Sequence, residues 1–277
     1  MIDSHCHFDL SAFDNKRNNT LIECAKAGVT RLLVPGLSIA QFPKLIELSE
    51  ERQRISTAEQ ENFPQLALPH IDIALGLHPY FMGELNNDEL HHQHKQLLEL
   101  GAKYKDKIIA VGECGLDASL ALPMRYQEHV FKQQIELAQS LNKPLIVHHR
   151  KSHNELIRLI KNARFEQGGV IHAFSGSEHI ANTYIDLGFK LGVGGTITYE
   201  RAVKTRHTIS QTPIEHLLLE TDAPDMPIQG YQGQMNTPAR LPHVASALAC
   251  LQGCEVSEVV AQTTINYSNT FLATEAN

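Results

Sequence analysis

The chain has 277 residues, 42% hydrophobic and 20% charged, with a formal net charge of −7. That balance is ordinary for a globular protein, supplies a sizeable core, and excludes a disordered or fibrous chain. The acidic balance also excludes a broad basic surface that would hold duplex nucleic acid by counterion release.

Five cysteines contain no CxxC pair and no even framework, so they read as reduced thiols. No run approaches about 18 consecutive apolar residues, and no basic segment followed by an apolar run opens the sequence. The expectation is a cytoplasmic chain without membrane association and without an evident obligate protein partner.

Short Val, Ile and Leu-rich runs alternate with longer segments of helical period, the pattern of parallel strands joined by crossover helices. In chain order the first strands are expected at residues 2–5 and 30–34, followed by a polar, irregular stretch over 51–69 that reads as an elaborated helix and loop. A strand at 73–77 comes next, then a polar helix whose His91, His92 and His94 form a solvated face. After a strand at 108–111, Pro123 suits the first turn of a helix in which Phe131, Ile135 and Ala138 recur at i, i+4 and i+7. Strands at 145–148 and 170–172 precede a helix capped by Ser177, with Ile180, Tyr184 and Leu187 facing inward and Gly188 closing it. The last two strands are expected at 190–193 and 217–220. No composition shift, repeat or low-complexity tract divides the chain, so residues 1–277 read as one domain. Eight apolar runs suit either a closed barrel or a doubly wound sheet.

Metal-ligand side chains decide between them. His5 and His7, Glu113, His148, His172 and Asp222 nearly all end an apolar run. Strands one, four, five, six and eight therefore deliver imidazole or carboxylate groups at one end, and a closed ring brings so many strand ends together. The expected fold is α/β, a single (β/α)8 barrel of the TIM type. His5 and His7 sit two apart in extended chain, so both imidazoles point to one face. Glu113 emerges after Val111 and Gly112, and a carboxylate, unlike a neutral imidazole, can bridge two cations. His149 points to the opposite face from its neighbour His148. Any one of these positions is commonly a cap or a hydrogen-bonded core residue; together they point to a two-metal hydrolytic site.

Six stretches carry a resemblance to the TatD family of metal-dependent hydrolases: Asp3-Ser4-His5-Cys6-His7-Phe8-Asp9, Gly76-Leu77-His78-Pro79, Val111 to Asp117, Pro144 to Arg150, Ile171 to Ser177, and Glu220-Thr221-Asp222-Ala223-Pro224. The resemblance is nearly full length. The run from Thr221 to Pro227, with Gly230-Tyr231-Gln232-Gly233-Gln234, is most similar to the YjjV-type branch. The resemblance implies a binuclear site in which His5, His7 and Asp222 hold one metal, His148 and His172 the other, and Glu113 bridges them. The two divalent ions would be Zn, Mn, Mg or similar. Cys114 stands where the family often has a branched apolar residue, and reads as a packed thiol.

A pair of cations can activate water and clamp both the attacking and leaving oxygens of a phosphodiester. Asp222 is the candidate to orient that water and accept its proton. Arg150, two residues beyond a ligand, offers a planar fork suited to phosphate. His78 is a candidate to contact phosphate or the leaving group, and Ser175 lies before a helix start where hydroxyl and N–H donors meet an anion. The resemblance implies a deoxyribonuclease, 3′ to 5′ exonucleolytic on single-stranded DNA. The alternative is a barrel hydrolase of small amides, lactones or phosphoesters; in such relatives a modified lysine often bridges the metals from the fourth strand, the place Glu113 takes here. Few aromatics imply a weak grip on a long strand.

Overall fold

The computed structural model describes residues 1–51, 66–83 and 86–272. Eight strands, β1 (Ile2–Asp3), β2 (Arg31–Val34), β3 (His70–Leu75), β4 (Ile108–Asp117), β5 (Leu145–Arg150), β6 (Gly169–Ile171), β7 (Phe189–Val193) and β8 (Leu217–Leu219), lie in one sheet in sequence order, each parallel to the next. Backbone bonds close the ring: Ser4 N–H donates to the Leu219 carbonyl at 2.9 Å, Asp222 N–H to that of His5 at 2.9 Å, and His7 N–H to that of Ala223 at 2.7 Å. The fold is a (β/α)8 barrel of the TIM type.

Nine helices among the described residues surround it: α1 (Arg17–Lys26), α2 (Phe42–Glu51), α3 (Asn87–Tyr104), α4 (Met124–Leu141), α5 (His153–Asn162), α6 (Glu178–Asp186), α7 (Val203–Gln211), α8 (Leu241–Gln252) and α9 (Val256–Tyr267). In α4, Pro123 stands just ahead of the first turn, and Phe131, Ile135 and Ala138 are buried. Ser177 caps α6, its side chain accepting from the Ile180 N–H. Tyr184 is fully buried there, while Ile180 and Leu187 are partly so. His91 and His92 are exposed on α3. The expected loop over 51–69 falls largely on residues 52–65, outside the described residues. No single helix among the described residues is long and apolar enough to cross a membrane.

Strand alternation sorts the core into two layers. Leu32, Val34, Leu145, Val147, Ile171, Leu217 and Leu219 face the helices and pack with Phe131, Ile135 and others. Ile2, Leu33, Ala74, Ile146, Val170 and Leu218 face inward and meet Tyr267 and Phe271 from the end of the chain. The Tyr267 hydroxyl donates to Asp72 Oδ2 at 2.6 Å, and the Arg31 guanidinium meets both oxygens of that carboxylate at 2.7 Å. This floor lies at the amino-terminal end of the strands. The same alternation carries His148 after Ile146, His172 after Val170 and Glu220 after Leu218 to the inside, at the opposite end.

Candidate metal centre

Glu113 stands at the middle of the site, only 2% exposed. It leaves β4 after Gly112, whose φ is +151° and whose Cβ, if it had one, would lie 2.6 Å from Ile146 atoms. Only glycine lets β4 and β5 approach so closely there. Glu113 Oε2 lies 3.1 Å from His5 Nε2 and 3.5 Å from His7 Nε2, while Oε1 lies 3.3 Å from His78 Nε2 and 3.2 Å from His148 Nδ1. Asp222, with a left-handed φ of +55° that aspartate tolerates better than most residues, turns Oδ1 to 3.4 Å from His7 Nε2, 3.6 Å from His172 Nε2 and 3.7 Å from His5 Nε2.

The donor set fits cations. His5 Nε2 and His7 Nε2 face one another at 3.3 Å, and the buried Nδ1 atoms of both rings have no hydrogen-bond partner among the described residues. Glu113 Oε2 and His148 Nε2 are buried without a well-formed hydrogen bond. Three sets of donor atoms converge within 4.8 Å: His5, His7 and Asp222; His5, Glu113 and His172; and His78, Glu113 and His148. Imidazole and carboxylate together suit divalent first-row metals.

The charges agree with the geometry. Burial would raise the Glu113 carboxyl, but His78, His5 and His148 outweigh it and hold the group well below the usual carboxylate range. Burial would likewise raise Asp222, yet His172, His7 and His5 leave it lowered. His172 is disfavoured as a cation by burial, but Glu220 and Asp222 prevail and push it up to about 10.

His172 stands on the His5 side of the cluster. Its ring stacks on His5, centroids 3.5 Å apart and 17° from parallel, and its Nδ1 lies 3.0 Å from Glu220 Oε1. Among the converging donors His172 groups with His5 and Glu113, and His78 groups with Glu113 and His148. Arg150 is exposed, lines the cavity and makes no ion pair among the described residues. Ser175 is not brought to the cavity. After Ala173, at φ +44°, the chain buries Phe174 and turns Ser175 outward, where its carbonyl meets His153 Nε2 at 2.9 Å. His149 leaves the opposite face of β5 and stacks on His153 at 4.3 Å. Cys114 is a packed thiol, its Sγ donating to the Ile146 carbonyl at 3.4 Å.

Several supporting residues escape pattern reading. Glu220 is fully buried, and its Oε1 also accepts the Ala173 N–H at 2.7 Å. Gly192 makes room for it, since a Cβ there would lie 2.2 Å from Glu220 Oε2. Such a carboxylate fixes the orientation of a ligating imidazole. Asp117 Oδ2 stands 3.5 Å from His148 Nε2. Asp3 accepts from Thr221 N–H at 3.0 Å and Thr221 Oγ1 at 2.6 Å, tying the first and last strand ends together; burial, against those bonds, pushes its carboxyl up to about 8. Two glutamines of α4 pin strand ends: Gln134 exchanges hydrogen bonds with both backbone groups of Leu77, and Gln127 with both of Asp117. The parity of the Glu220 position relative to Leu218 was the signal available for that residue. The helical period marks both glutamines as inward but not which backbone groups they meet.

A cavity of about 590 Å³ opens onto the cluster, lined by His7, His78, Glu113, Asp117, His148, Arg150, His172 and Asp222, with Tyr80, Phe81, Asp225 and Met226 at its sides. The model of the TatD related DNase family matches residues 2–272. The chain belongs to the TatD family. The TatD relative YjjV of Escherichia coli, described as an uncharacterized metal-dependent hydrolase, is 38% identical over 270 residues, spanning 97% of this chain and 96% of its own length. The crystal structure of that TatD homolog superposes with a TM-score of 0.87 at 35% identity, covering 98% of each chain. A TatD family hydrolase from Entamoeba histolytica shares the fold, with a TM-score of 0.81 at 22% identity over 98% of this chain and 97% of that one. This TatD chain is a metal-dependent hydrolase.

Proposed function

We propose that this hydrolase cleaves phosphodiester bonds of single-stranded DNA, releasing nucleotides from the 3′ end, with two divalent cations in its cluster. The observation that carries the reading is the divided engagement of Glu113. One oxygen faces His5 and His7 at 3.1 and 3.5 Å, and the other faces His78 and His148 at 3.3 and 3.2 Å, as a carboxylate shared between two cations requires. His5, His7 and Asp222 would hold one cation on the Oε2 side and His148 the other on the Oε1 side, with His172 beside the same carboxylate. Bound there, the cations would supply Lewis-acid stabilisation of phosphoryl oxygens and lower the pKa of the attacking water.

The remaining work falls to side chains of this chain. Asp222, kept anionic by its imidazole neighbours, orients the water and takes its proton, as a general base within reach of the cluster can. Arg150, free of any ion pair among the described residues, offers two parallel N–H donors to a phosphate. His78 accepts the Tyr80 N–H at Nδ1, at 3.1 Å, which leaves Nε2 turned toward Glu113 and any group bound beside it. A cavity of about 590 Å³ is of the size that encloses a small ligand and suits a chain end rather than a duplex. The description of the matching family as a DNase supports the same substrate.

The test is to strip the protein with chelator, reload it with Mn, Mg or Zn, and follow end-labelled single-stranded DNA. Mononucleotides should appear from the 3′ end only with metal, and elemental analysis should find two ions per chain in the parent and fewer in Glu113→Ala. Intact oligonucleotides with every metal, while a simple ester, lactone or amide turns over, would replace this reading with a small-molecule hydrolase.

A further inference from the structure

The cavity wall beside the cluster carries an aromatic ledge that folding does not explain. Among the described residues, Tyr80 and Phe81 are the only exposed tyrosine or phenylalanine side chains, at 66% and 49%, and both line the cavity. The other aromatic rings of the described chain are buried or half-buried. An aromatic side chain has 150–250 Å² to bury, on the order of, so leaving two adjacent rings open at the mouth of a site forgoes stability that the core elsewhere takes.

The ledge is held in register with the cluster. It forms a short turn, Pro79–Phe81, that follows β3. His78 Nδ1 accepts the Tyr80 N–H at 3.1 Å and the His78 carbonyl accepts the Phe81 N–H at 2.9 Å. The Phe81 ring packs edgewise on His78, centroids 5.9 Å apart, and edgewise on Tyr80 at 5.2 Å and 72°. His78 Nε2 in turn lies 3.3 Å from Glu113 Oε1. Phe81 is thus braced on both sides, and the Tyr80 face is the one left open.

Electrostatics says what should lie on it. The cavity lining holds four carboxylates, Glu113, Asp117, Asp222 and Asp225, and a single guanidinium, Arg150. On a protein of net charge −7, the hold on phosphate is therefore confined to Arg150 and the metal cluster and does not extend along a polyanionic chain. A neutral, flat ring one linkage away from a phosphate adds affinity without adding charge, because base–aromatic stacking is indifferent to the sign of the surroundings.

We infer that Tyr80, buttressed by Phe81, is the stacking platform for the nucleobase of the nucleotide whose phosphate meets Arg150 and the metal cluster. The inference rests on the phosphodiesterase reading and deepens it by assigning the base a place. It also locates a grip in a chain of low aromatic content.

The probe is 2-aminopurine deoxyriboside 5′-monophosphate, a fluorescent analogue of the released nucleotide, titrated into zinc-loaded full-length protein. Its fluorescence should fall on binding to the parent. Kd should rise about tenfold in Tyr80→Ala, less in Phe81→Ala, and stay unchanged in Tyr80→Phe, which keeps the ring. Deoxyribose 5-phosphate, which has no base, should compete weakly and equally with parent and Tyr80→Ala. An unquenched probe, or equal Kd in parent and Tyr80→Ala, overturns the platform. Both rings are exposed, so the variants should unfold at the parent's urea midpoint. The two readings fail separately: a parent that quenches the probe but leaves single-stranded DNA whole keeps the platform and loses the nuclease, whereas one that degrades DNA with an unchanged Tyr80→Ala Kd does the reverse.

Discussion

Replacing Glu220 by glutamine tests how far the cluster depends on a residue outside the three converging donor sets. Glu220 is fully buried, its Oε1 lies 3.0 Å from His172 Nδ1 and accepts the Ala173 N–H at 2.7 Å. Glutamine has the same shape, so its carbonyl can keep both contacts while its amide takes the place of Oε2 against Gly192. Only the charge is lost. Carboxylates that orient ligating imidazoles carry roughly 10–100-fold in metal affinity. With the geometry preserved, Glu220→Gln should weaken zinc binding about tenfold, or ~1.4 kcal/mol. Glu220→Ala frees the imidazole and strands the Ala173 N–H, so it should approach the upper end of that range. Competition against a chromogenic chelator measures both, and circular dichroism checks that the barrel persists. Zinc affinity in Glu220→Gln equal to the parent's would refute the claim that this carboxylate sets the His172 donor.

Two further outcomes follow from other parts of the barrel. Tyr267→Phe removes a buried donor to a carboxylate 2.6 Å away; hydrogen bonds to charged groups contribute about 1.5–3 kcal/mol, so the urea midpoint should fall while hydrolysis per loaded site is unchanged. Burial would raise the Asp72 carboxyl, but His70, Arg31 and Tyr267 hold it below its ordinary value; a depressed folded pKa stabilises above the unfolded value, about 3.9, and is lost as pH falls through the folded one, so the gap between parent and variant should narrow in acid, and a constant gap down to about pH 2 would contradict it. Arg150→Lys keeps the charge but loses the planar fork, so KM for the oligonucleotide should rise several-fold with metal content unchanged; an unaltered KM would remove Arg150 from the phosphate contact.

The barrel was legible because its signals are local. Each inward-facing parity position is set by its own strand, which is why Ile146 predicts His148 and Val170 predicts His172. Strand ends were less so: β4 runs on to Asp117 because it pairs with β5 through Gly115 and Leu116, a partner that local hydropathy does not see. His172 is held against Glu220, 48 positions later in the chain, and stacks on His5, contacts between strands that no local pattern reports. Ser175 turns away from the cavity after a left-handed turn at Ala173 that no glycine or asparagine announces. Tyr80 and Phe81 follow a histidine and a proline in a short apolar run, and nothing in that spacing says that the rings stay uncovered. Gln127 and Gln134 sit on a helix whose period marks them as inward, yet their role depends on backbone groups of two different strands.

The seam between the first and last strands sets when this molecule becomes itself. Asp3 and Thr221 are bonded across 218 positions, and the plug of Tyr267 and Phe271 comes from still later in the sequence. Closing so long a loop has an entropic cost that only the completed ring recovers. Before the ring closes, His5 and His7 have neither Asp222 beside them nor a floor beneath, and their segment alone offers a cation no more than two imidazoles. Cation binding therefore depends on the closed ring, and removing residues 267–272 should lower zinc affinity, measured by competition against a chromogenic chelator, even though every candidate ligand residue is present.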